Sequence, residues 1–183
     1  MSQRASNHLG RMPTVARMRT VDERVVRAPW QTMFDLAADV ERWPRHLPHY
    51  RYVRFRERMD SGGVVEMSAN RPFGVLNWPT WWVSVMEIQR PIGSSLPAVR
   101  YHHIEGITTH MDVEWAFEPV AGGTRVTVVH LWNGPSWPLV GVLAAKAVIG
   151  PVFVRGIASR TLDGLARVAE QRQTSEQPLT REQ

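Results

Sequence analysis

Hydrophobic and polar residues alternate along residues 109–118 and again along residues 124–132. Alternation with a period of two is typical of a β-strand whose two faces meet different surroundings. The residues between the two runs, 119–123, include a proline and two consecutive glycines, which predict a turn. We therefore predict a β-hairpin with one aromatic-rich face, on which lie Met111, Val113, Trp115, Phe117, Val126, Val128, His130 and Trp132.

The rest of the chain predicts a first strand, two short helices, further strands and a long C-terminal helix. Glycine, proline and aspartate separate the strand segments, and short turns between sequential strands favour an antiparallel meander. The predicted strands are 18–28, 50–59, 63–70, 76–89, 98–105, 109–118 and 124–132. The predicted helices are 29–38, 40–47 and 151–171, with a short apolar helix over 137–149.

The length of 183 residues fits one domain with polar ends. We expect residues 1–17 to form a disordered N-terminal arm and residues 173–183 to form a polar C-terminal tail, so that the folded domain spans 18–172. The N-terminal stretch carries arginine but no continuous apolar run. It does not match a secretory signal, and we expect a cytoplasmic protein.

One apolar segment, residues 138–154, has some character of a membrane-associated sequence. Gly141, Lys146 and Gly150 interrupt it, and it falls short of the roughly 20 apolar residues that span a bilayer. We expect a buried or cavity-covering helix here. The alternative is weak peripheral contact with a membrane through residues 137–149.

Composition excludes several kinds of chemistry. The chain has no cysteine, which excludes disulfides, thiolate catalysis and cysteine-ligated metals. The net charge of +5 comes almost entirely from scattered arginines, and no basic-aromatic motif indicates nucleic-acid binding. We expect the local cluster of Arg54, Arg56 and Arg58 on one solvated strand face. The seven histidines lack a spacing typical of metal ligands, so we expect neither a metal nor a cofactor.

Polar residues on the predicted inner faces are the candidates for chemistry. Tyr101, His103 and Glu105 share one face of a regular strand. Either this face is a polar ladder inside a cavity, where burial raises the pKa of Glu105, or Glu105 lies in solvent, which its place at the strand end favours. We predict an inward His130, either as a hydrogen-bonded core histidine or as a ligand contact. His49 is expected at the surface near the cavity mouth.

Four short motifs carry a resemblance to a known family. They are Asp39-Val40-Glu41-Arg42-Trp43-Pro44 with Tyr50 downstream, Trp82-Val83-Ser84, His110-Met111-Asp112-Val113-Glu114-Trp115 and Gly122-Gly123-Thr124-Arg125-Val126. Together with the order of elements over residues 20–171, they resemble the START/Bet v 1-like superfamily, and within it the polyketide cyclase/dehydrase branch that includes the aromatase/cyclases. The resemblance implies an α+β helix-grip fold, in which an antiparallel seven-stranded sheet wraps around a long C-terminal helix and two short helices follow the first strand.

The resemblance also implies a ligand cavity between the sheet and the long helix. The matching pocket positions of the family are Trp43, Tyr50, Trp82, Ser84 and Trp115. Two arginines of the family are replaced here, one by Met86 and the other by His103. Arginine stabilises a developing enolate and methionine does not, whereas histidine acts as an acid or a base near neutral pH.

We therefore expect a hydrophobic, aromatic or polyketide-like small molecule as the ligand, and cofactor-free cyclisation or dehydration if the protein is an enzyme. In that reaction His103 is the proton carrier, and Tyr50 and Ser84 are hydrogen-bond donors. The expected ligand contacts are Trp43, Leu47, Trp82, Met86, Tyr101, Trp115, His130 and Trp132.

The alternative, from another functional class, is a non-enzymatic carrier of a lipid or an isoprenoid quinone. Met86 in place of arginine makes the cavity more apolar, and the segment 138–149 adds apolar surface before the last helix. A third alternative, a protein-interaction module, has no sequence feature in its favour. The sequence alone leaves the choice between enzyme and carrier open.

Overall fold

The computed structural model describes residues 8–73, 76–134 and 155–176. The strands are β1 (Met18–Val26), β2 (Tyr50–Met59), β3 (Gly62–Phe73), β4 (Leu76–Gln89), β5 (Ala98–Gly106), β6 (Asp112–Val120) and β7 (Gly123–Trp132). The helices are α1 (Trp30–Ala38), α2 (Trp43–His46) and α3 (Arg155–Glu176), and one 3-10 turn (Val40–Arg42) precedes α2.

The seven strands form one sheet in the order β1-β7-β6-β5-β4-β3-β2, and every neighbouring pair is antiparallel. Strands β2 to β7 are the predicted meander, while β1 pairs with the last strand from Met18↔Trp132 to Val26↔Thr124. The long helix α3 packs on the inner face. The predicted α+β helix-grip fold is confirmed.

The core lies where α3 and α1 cover the sheet. Helical spacing predicts an apolar stripe along the last helix that consists of Val154, Ile157, Ala158, Thr161, Leu162, Leu165, Val168 and Ala169. Its described members Ala158, Thr161, Leu162, Leu165 and Ala169 are buried, and so is Ala166 beside them. Small residues in this stripe let the helix approach its neighbours closely. At Gly164, a Cβ atom would lie 2.2 Å from Cδ2 of Leu47, so the missing side chain of Gly164 leaves room for the Leu47 side chain, which follows α2, to pack against α3.

The turn between β5 and β6 differs from the prediction, which began a strand at Thr109. Residues 107–110 form a turn, and the strand begins at Asp112. His110 has a φ of 67° and Gly106 has a φ of 98°, both in the left-handed region. A strand pattern of alternating side chains does not reveal such backbone angles, because they depend on how the turn closes.

A β-bulge in β5 interrupts the predicted alternation. Ser84 pairs with His103, but the next pair is Val83 with Glu105, so Ile104 is left without a partner in the ladder. The extra residue reverses the side-chain direction after His103. Glu105 therefore lies on the outer face, where Arg56 Nη1 donates a hydrogen bond to it at 2.7 Å. The prediction that Glu105 shares a strand face with His103 is wrong.

The outer face of β2 and β3 carries a charged network. Arg54 is solvated as predicted, with its side chain more than half exposed. Arg58 is also more than half exposed, but a register shift between Phe55 and Glu57 takes it off the face of Arg54 and Arg56, and it binds Glu41 instead, so the shared face of the three arginines is wrong for Arg58. Glu66 is buried beneath this network and accepts hydrogen bonds from Tyr52 Oη at 2.7 Å and from Arg54 and Arg56. The Tyr52 hydroxyl and these arginines lower the pKa of Glu66 to about 2.

The N-terminal segment from residue 8 follows the outer face of the sheet. The backbone N–H of Leu9 donates to Glu87 Oε2 at 3.0 Å, Arg100 donates to the carbonyl of Gly10, and the N–H of Arg17 donates to Asn133 at 3.0 Å. This part of the predicted disordered arm has a defined path. Residues 1–7 lie outside the described residues.

The described residues test only part of the prediction for the C-terminal region. The predicted helix over 137–149, with its proposed membrane contact, lies outside the described residues. The long helix continues to Glu176, five residues beyond the predicted end at 171. Residues 177–183 of the predicted tail are likewise outside the described part. Among the described helices, none is long and apolar enough to cross a membrane.

Candidate ligand cavity

A cavity lies between the inner face of the sheet and α3. Its wall receives residues from α2, from the six strands β2 to β7, from the β5–β6 turn and from α3. The volume of the cavity is about 70 Å³. The described residues that line it are Trp43, Tyr50, Met67, Trp82, Tyr101, His103, Thr108, Met111, Val113, Trp115, His130, Ile157, Ala158 and Thr161.

The described lining contains no Asp, Glu, Lys or Arg. Desolvating a charge without a partner is costly, so a wall of this kind favours a neutral ligand. Most of the wall is aromatic or aliphatic, and a few polar groups interrupt it. That combination is typical of cavities that bind small apolar molecules with defined orientation.

Aromatic rings follow one another around the wall. The centroid of Trp43 lies 5.2 Å from that of Tyr50 at an interplanar angle of 71°, and 6.0 Å from that of Trp115. Tyr50 lies 6.2 Å from Trp82 at 61°. The Trp43–Tyr50 and Tyr50–Trp82 pairs are edge-to-face, a favourable geometry for aromatic rings, and the Trp43–Trp115 pair is tilted. The indole N–H of Trp43 donates to the carbonyl of Leu36 at 3.0 Å, which holds this ring in place.

His103 is buried and held from two sides. Its Nδ1 atom lies 2.7 Å from Oγ1 of Thr108, and its ring is stacked on Trp82 at 15° with the centroids 6.1 Å apart. The backbone adds a bond from the N–H of His103 to the carbonyl of Met111 at 2.9 Å. The imidazole is therefore positioned before any ligand enters.

The Tyr50 hydroxyl joins a hydrogen-bonded chain that leaves the cavity. Thr161 Oγ1 lies 3.3 Å from Tyr50 Oη and 3.2 Å from His49 Nε2. His49 also lines a solvent-open cleft that contains Arg160. Partial burial and the positive charge of Arg160 lower the pKa of His49 to about 4. His49 is thus half-buried and bonded to the cavity wall, not simply a surface residue.

Tyr101 and His130 each place a buried polar atom in the cavity wall. The hydroxyl of Tyr101 and Nδ1 of His130 have no hydrogen-bond partner among the described residues. Burial lowers the pKa of His130 to about 4, and burial with the nearby Tyr50 raises the pKa of Tyr101 well above its usual value. Both side chains are neutral at neutral pH. A ligand with its own polar atoms satisfies such groups.

Seven of the residues predicted to form the site line the cavity together: Trp43, Tyr50, Trp82, Tyr101, His103, Trp115 and His130. They come from five different strands and from α2, so the fold brings together residues that are distant in the chain. Among them, His103 has a buried ring that is hydrogen-bonded to Thr108 and stacked on Trp82.

Four predicted site residues lie outside the lining and belong to the packed interior. Ser84 and Met86 share the inner face of β4 with Trp82 but are completely buried. Leu47 packs against Gly164. Trp132 is 2% exposed, and its indole N–H donates to the carbonyl of Thr109 at 2.9 Å. Every second residue of a strand points inward, but only some of these inward residues reach the cavity.

Seven lining residues were not predicted as site residues: Met67, Thr108, Met111, Val113, Ile157, Ala158 and Thr161. Alternation already placed Met111 and Val113 on the face of Trp115, and the apolar stripe of the last helix included Ile157, Ala158 and Thr161. That information was sufficient to include these five. No sequence signal indicated Thr108, because the turn conformation brings it beside His103.

The described residues 8–73, 76–134 and 155–176 contain no group of three or more His, Asp or Glu that is placed to hold a metal ion. His102 and His103 point to opposite faces, as predicted for neighbours on a strand. His102 Nδ1 lies 2.9 Å from Asp112 Oδ1 on the outer face. With Glu105 also outside, the inner face keeps His103 without a carboxylate neighbour in the described lining.

Residues 26–153 match the family described as polyketide cyclase/dehydrase and lipid transport. The match covers most of the chain, and the protein belongs to this family. A relative from Streptomyces halstedii, named "Putative polyketide cyclase", is 29% identical over 105 residues, which are 57% of this chain and 91% of the relative.

Solved structures share the fold at low sequence identity. The Zhui aromatase/cyclase from Streptomyces sp. R1128 is 18% identical with a TM-score of 0.65, and the match covers 84% of this chain and 94% of that one. A STAR-related lipid transfer protein from Xanthomonas axonopodis is 17% identical with a TM-score of 0.57, covering 91% and 97%. The family and the aromatic cavity together support binding of a hydrophobic small molecule.

Proposed function

We propose that the protein binds a neutral aromatic or polyketide-like ketone in this cavity and promotes its enolisation, the first step of a cofactor-free cyclisation or dehydration. The observation that carries the proposal is the buried imidazole of His103, which is hydrogen-bonded to Thr108 and stacked on Trp82 in a mostly apolar wall whose described residues include no Asp, Glu, Lys or Arg. A ring held in this way is pre-oriented toward a bound molecule, which lowers the entropy cost of catalysis.

Enolisation takes a proton from the carbon next to a carbonyl group and develops negative charge on the carbonyl oxygen. Of the two histidines in the described wall, His130 has a pKa of about 4 and stays neutral at physiological pH. We therefore assign His103 as the proton carrier. The hydroxyl of Tyr50 is a second hydrogen-bond donor, and Trp43, Trp82 and Trp115 shape the substrate. Ser84 lies outside the lining, and we give it no role.

The test uses 1-tetralone, a neutral bicyclic ketone whose α-hydrogens exchange slowly in water. The protein is incubated with it in D₂O, and deuterium at the α-carbon is followed by mass spectrometry. We expect saturable exchange that falls about 100-fold or more in His103→Ala, the size expected for loss of an acid–base group. His102→Ala is the matched control, because the neighbouring histidine lies on the outer face, where it contacts Asp112.

Binding is measured in parallel by quenching of tryptophan fluorescence. Tight binding of 1-tetralone without any acceleration of exchange would contradict the enzymatic proposal. Equal loss of exchange in His103→Ala and His102→Ala would contradict the assignment of His103.

The second candidate function is a carrier of a neutral lipid or an isoprenoid quinone. The specific observation in its favour is a described lining without Asp, Glu, Lys or Arg, in which Met67 and Met111 contribute flexible apolar surface. The family description includes lipid transport. Native mass spectrometry of the purified protein, followed by extraction with organic solvent, distinguishes the two. A co-purified lipid or quinone favours the carrier, and an empty protein that exchanges tetralone protons favours the enzyme.

A further inference from the structure

We propose that the solvent-open cleft beside α3 is a second binding site, which takes a phosphate or carboxylate group. The cleft is separate from the aromatic cavity, so this proposal is independent of the proposed function. Its wall receives residues from β1, from the loop between α2 and β2, from β3 and from α3. The described polar residues that line it are Arg24, His49, Asn70, Arg160, Asp163 and Arg167.

Two arginines of α3 reach the cleft from the same side of the helix. Arg160 and Arg167 are seven residues apart, close to two helical turns, which places them on one face. Both are exposed, and neither has an ion-pair or hydrogen-bond partner among the described residues. Their guanidinium groups are therefore available to a ligand that enters the cleft.

The one carboxylate in the described lining of the cleft is already bound. Asp163 Oδ1 accepts a hydrogen bond from Arg24 Nη1 at 2.8 Å, and Arg24 Nη2 lies 3.6 Å from Glu170 Oε2. Arg24 and Asp163 therefore compensate each other. Three arginines and one aspartate leave a net charge of +2 on the described lining, and the excess belongs to Arg160 and Arg167.

The neutral polar residues of the cleft lie close to this positive charge. Burial and the charge of Arg160 lower the pKa of His49 to about 4, so His49 is neutral near pH 7 and adds no charge. Asn70 contributes an amide group with two N–H donors. The lining suits a group with negative charge on several oxygen atoms, because guanidinium binds phosphate and carboxylate through paired hydrogen bonds.

A layer of hydrogen-bonded side chains separates the cleft from the cavity. His49 Nε2 lies 3.2 Å from Oγ1 of Thr161, and Thr161 lines the cavity. An anion in the cleft therefore has two sources that experiment must distinguish. It is either a free anion from solvent or the acidic end of a molecule that also carries an apolar part. Both present the same charged oxygen atoms to the arginines.

The first experiment follows binding of inorganic phosphate to the full-length, ¹⁵N-labelled protein by NMR. It is done at about pH 8, above the ordinary pKa of histidine, and at low ionic strength, where exposed charges are least screened. The side-chain signals of His49, assigned with His49→Gln, report on the cleft. We expect saturable shifts of these signals. The dissociation constant should rise about tenfold in Arg160→Gln and in Arg167→Gln, since each loses a charged hydrogen-bond donor.

Arg172→Gln is the matched control, because it removes the same charge from the same helix but Arg172 lines a different cleft, with Asp35 and Asp39. It should leave the affinity unchanged. Asp163→Asn should instead tighten binding, since it removes a negative charge from the cleft and releases Arg24. The three arginines are exposed, so their substitutions leave the core intact.

Several results would overturn the proposal. One is the absence of a saturable shift of the His49 signals. Another is a shift of the same size with sodium chloride at equal ionic strength, which would show screening only. Equal weakening of binding in Arg172→Gln and Arg160→Gln, or weaker binding in Asp163→Asn, would likewise contradict a specific site in this cleft.

The second experiment compares inorganic phosphate with 1-naphthyl phosphate. Affinity for the ester that is at least about tenfold tighter, and that still depends on Arg160 and Arg167, would support the site and identify its ligand as the acidic end of an aromatic molecule, because the apolar part adds buried surface. Equal affinities would support a site for a free anion. Binding of the ester that is unchanged in Arg160→Gln and Arg167→Gln would count against the site.

Discussion

At the scale of single residues, the two tyrosines of the wall differ in how their hydroxyl groups are satisfied. Tyr50 Oη lies 3.3 Å from Oγ1 of Thr161, whereas Tyr101 Oη is buried without a partner among the described residues. A buried polar atom without a hydrogen bond destabilises the folded state, and a bonded one stabilises it modestly. We therefore expect the Tyr101 hydroxyl to form its hydrogen bond with a ligand.

We expect Tyr101→Phe to raise the free energy of unfolding of the empty protein by about 1 kcal/mol, since it removes a hydroxyl that has no partner. The matched variant Tyr50→Phe should lower it by about 1 kcal/mol, because it leaves the chain through Thr161 incomplete. Urea unfolding followed by tryptophan fluorescence measures both. Changes of the same sign in the two variants would contradict this account of the wall.

At the scale of elements, the end of β5 decides the shape of the site. The bulge at Ile104 turns Glu105 outward, and the turn that follows brings Thr108 to His103. Gly106 makes this geometry accessible. Its φ is 98°, and a Cβ atom there would lie 2.6 Å from the carbonyl oxygen of Trp81 and 2.9 Å from Cα of Trp82. The close approach of the two strands requires glycine at this point.

Gly106→Ala should therefore destabilise the fold and displace Trp82 from the cavity. The control is Gly122→Ala, which shares a positive φ of 83° but meets no atom within 4 Å. We expect Gly106→Ala to cost about 2 kcal/mol more than Gly122→Ala, because only the former adds a clash with backbone to the strain of the angle. Urea unfolding gives the free energies. Equal costs for the two variants would show that the strand contact is unimportant.

At the scale of the whole molecule, the stability of the fold depends on keeping His130 neutral. Burial lowers its pKa to about 4 from the ordinary 6.5. As pH falls below 6.5, the unfolded chain takes up this proton while the folded protein does not. The contribution of His130 to stability is thus complete above pH 6.5 and is lost progressively as pH falls toward 4.

When the pH falls from 7 to 5, protonation of His130 in the unfolded chain lowers the free energy of unfolding by about 2 kcal/mol. His130→Leu should reduce the dependence of stability on pH by that amount, as measured by urea unfolding at both values. His46→Gln is the control and should keep the wild-type dependence. If His130→Leu and the wild type lose stability equally over this range, His130 is not the group responsible.

Alternating and helical patterns were sufficient for most strands and helices and for the antiparallel meander, because each strand and helix has one face that must be buried, while the resemblance to the family implied how the sheet wraps around the long helix. The patterns correctly placed Trp115 and His130 on the inner face, and the resemblance correctly placed the long helix against the sheet. The family was recognisable from the order of elements together with four motifs, three of which lie where the chain enters an element and one of which, Trp82-Val83-Ser84, lies within β4. Which face of a strand or helix is buried, and the order of these elements along the chain, are properties that the sequence itself contains.

The extent of the cavity and the neighbours of each polar group were decided only by the tertiary structure. Periodicity says that Met86 and Trp82 point inward, but packing with other elements determines that Trp82 alone of the two lines the cavity. The bulge that separates Glu105 from His103 and the turn that joins Thr108 to His103 depend on how β5 pairs with its neighbours β4 and β6. A pattern along one chain segment does not contain these contacts, because each of them is a relation between two segments.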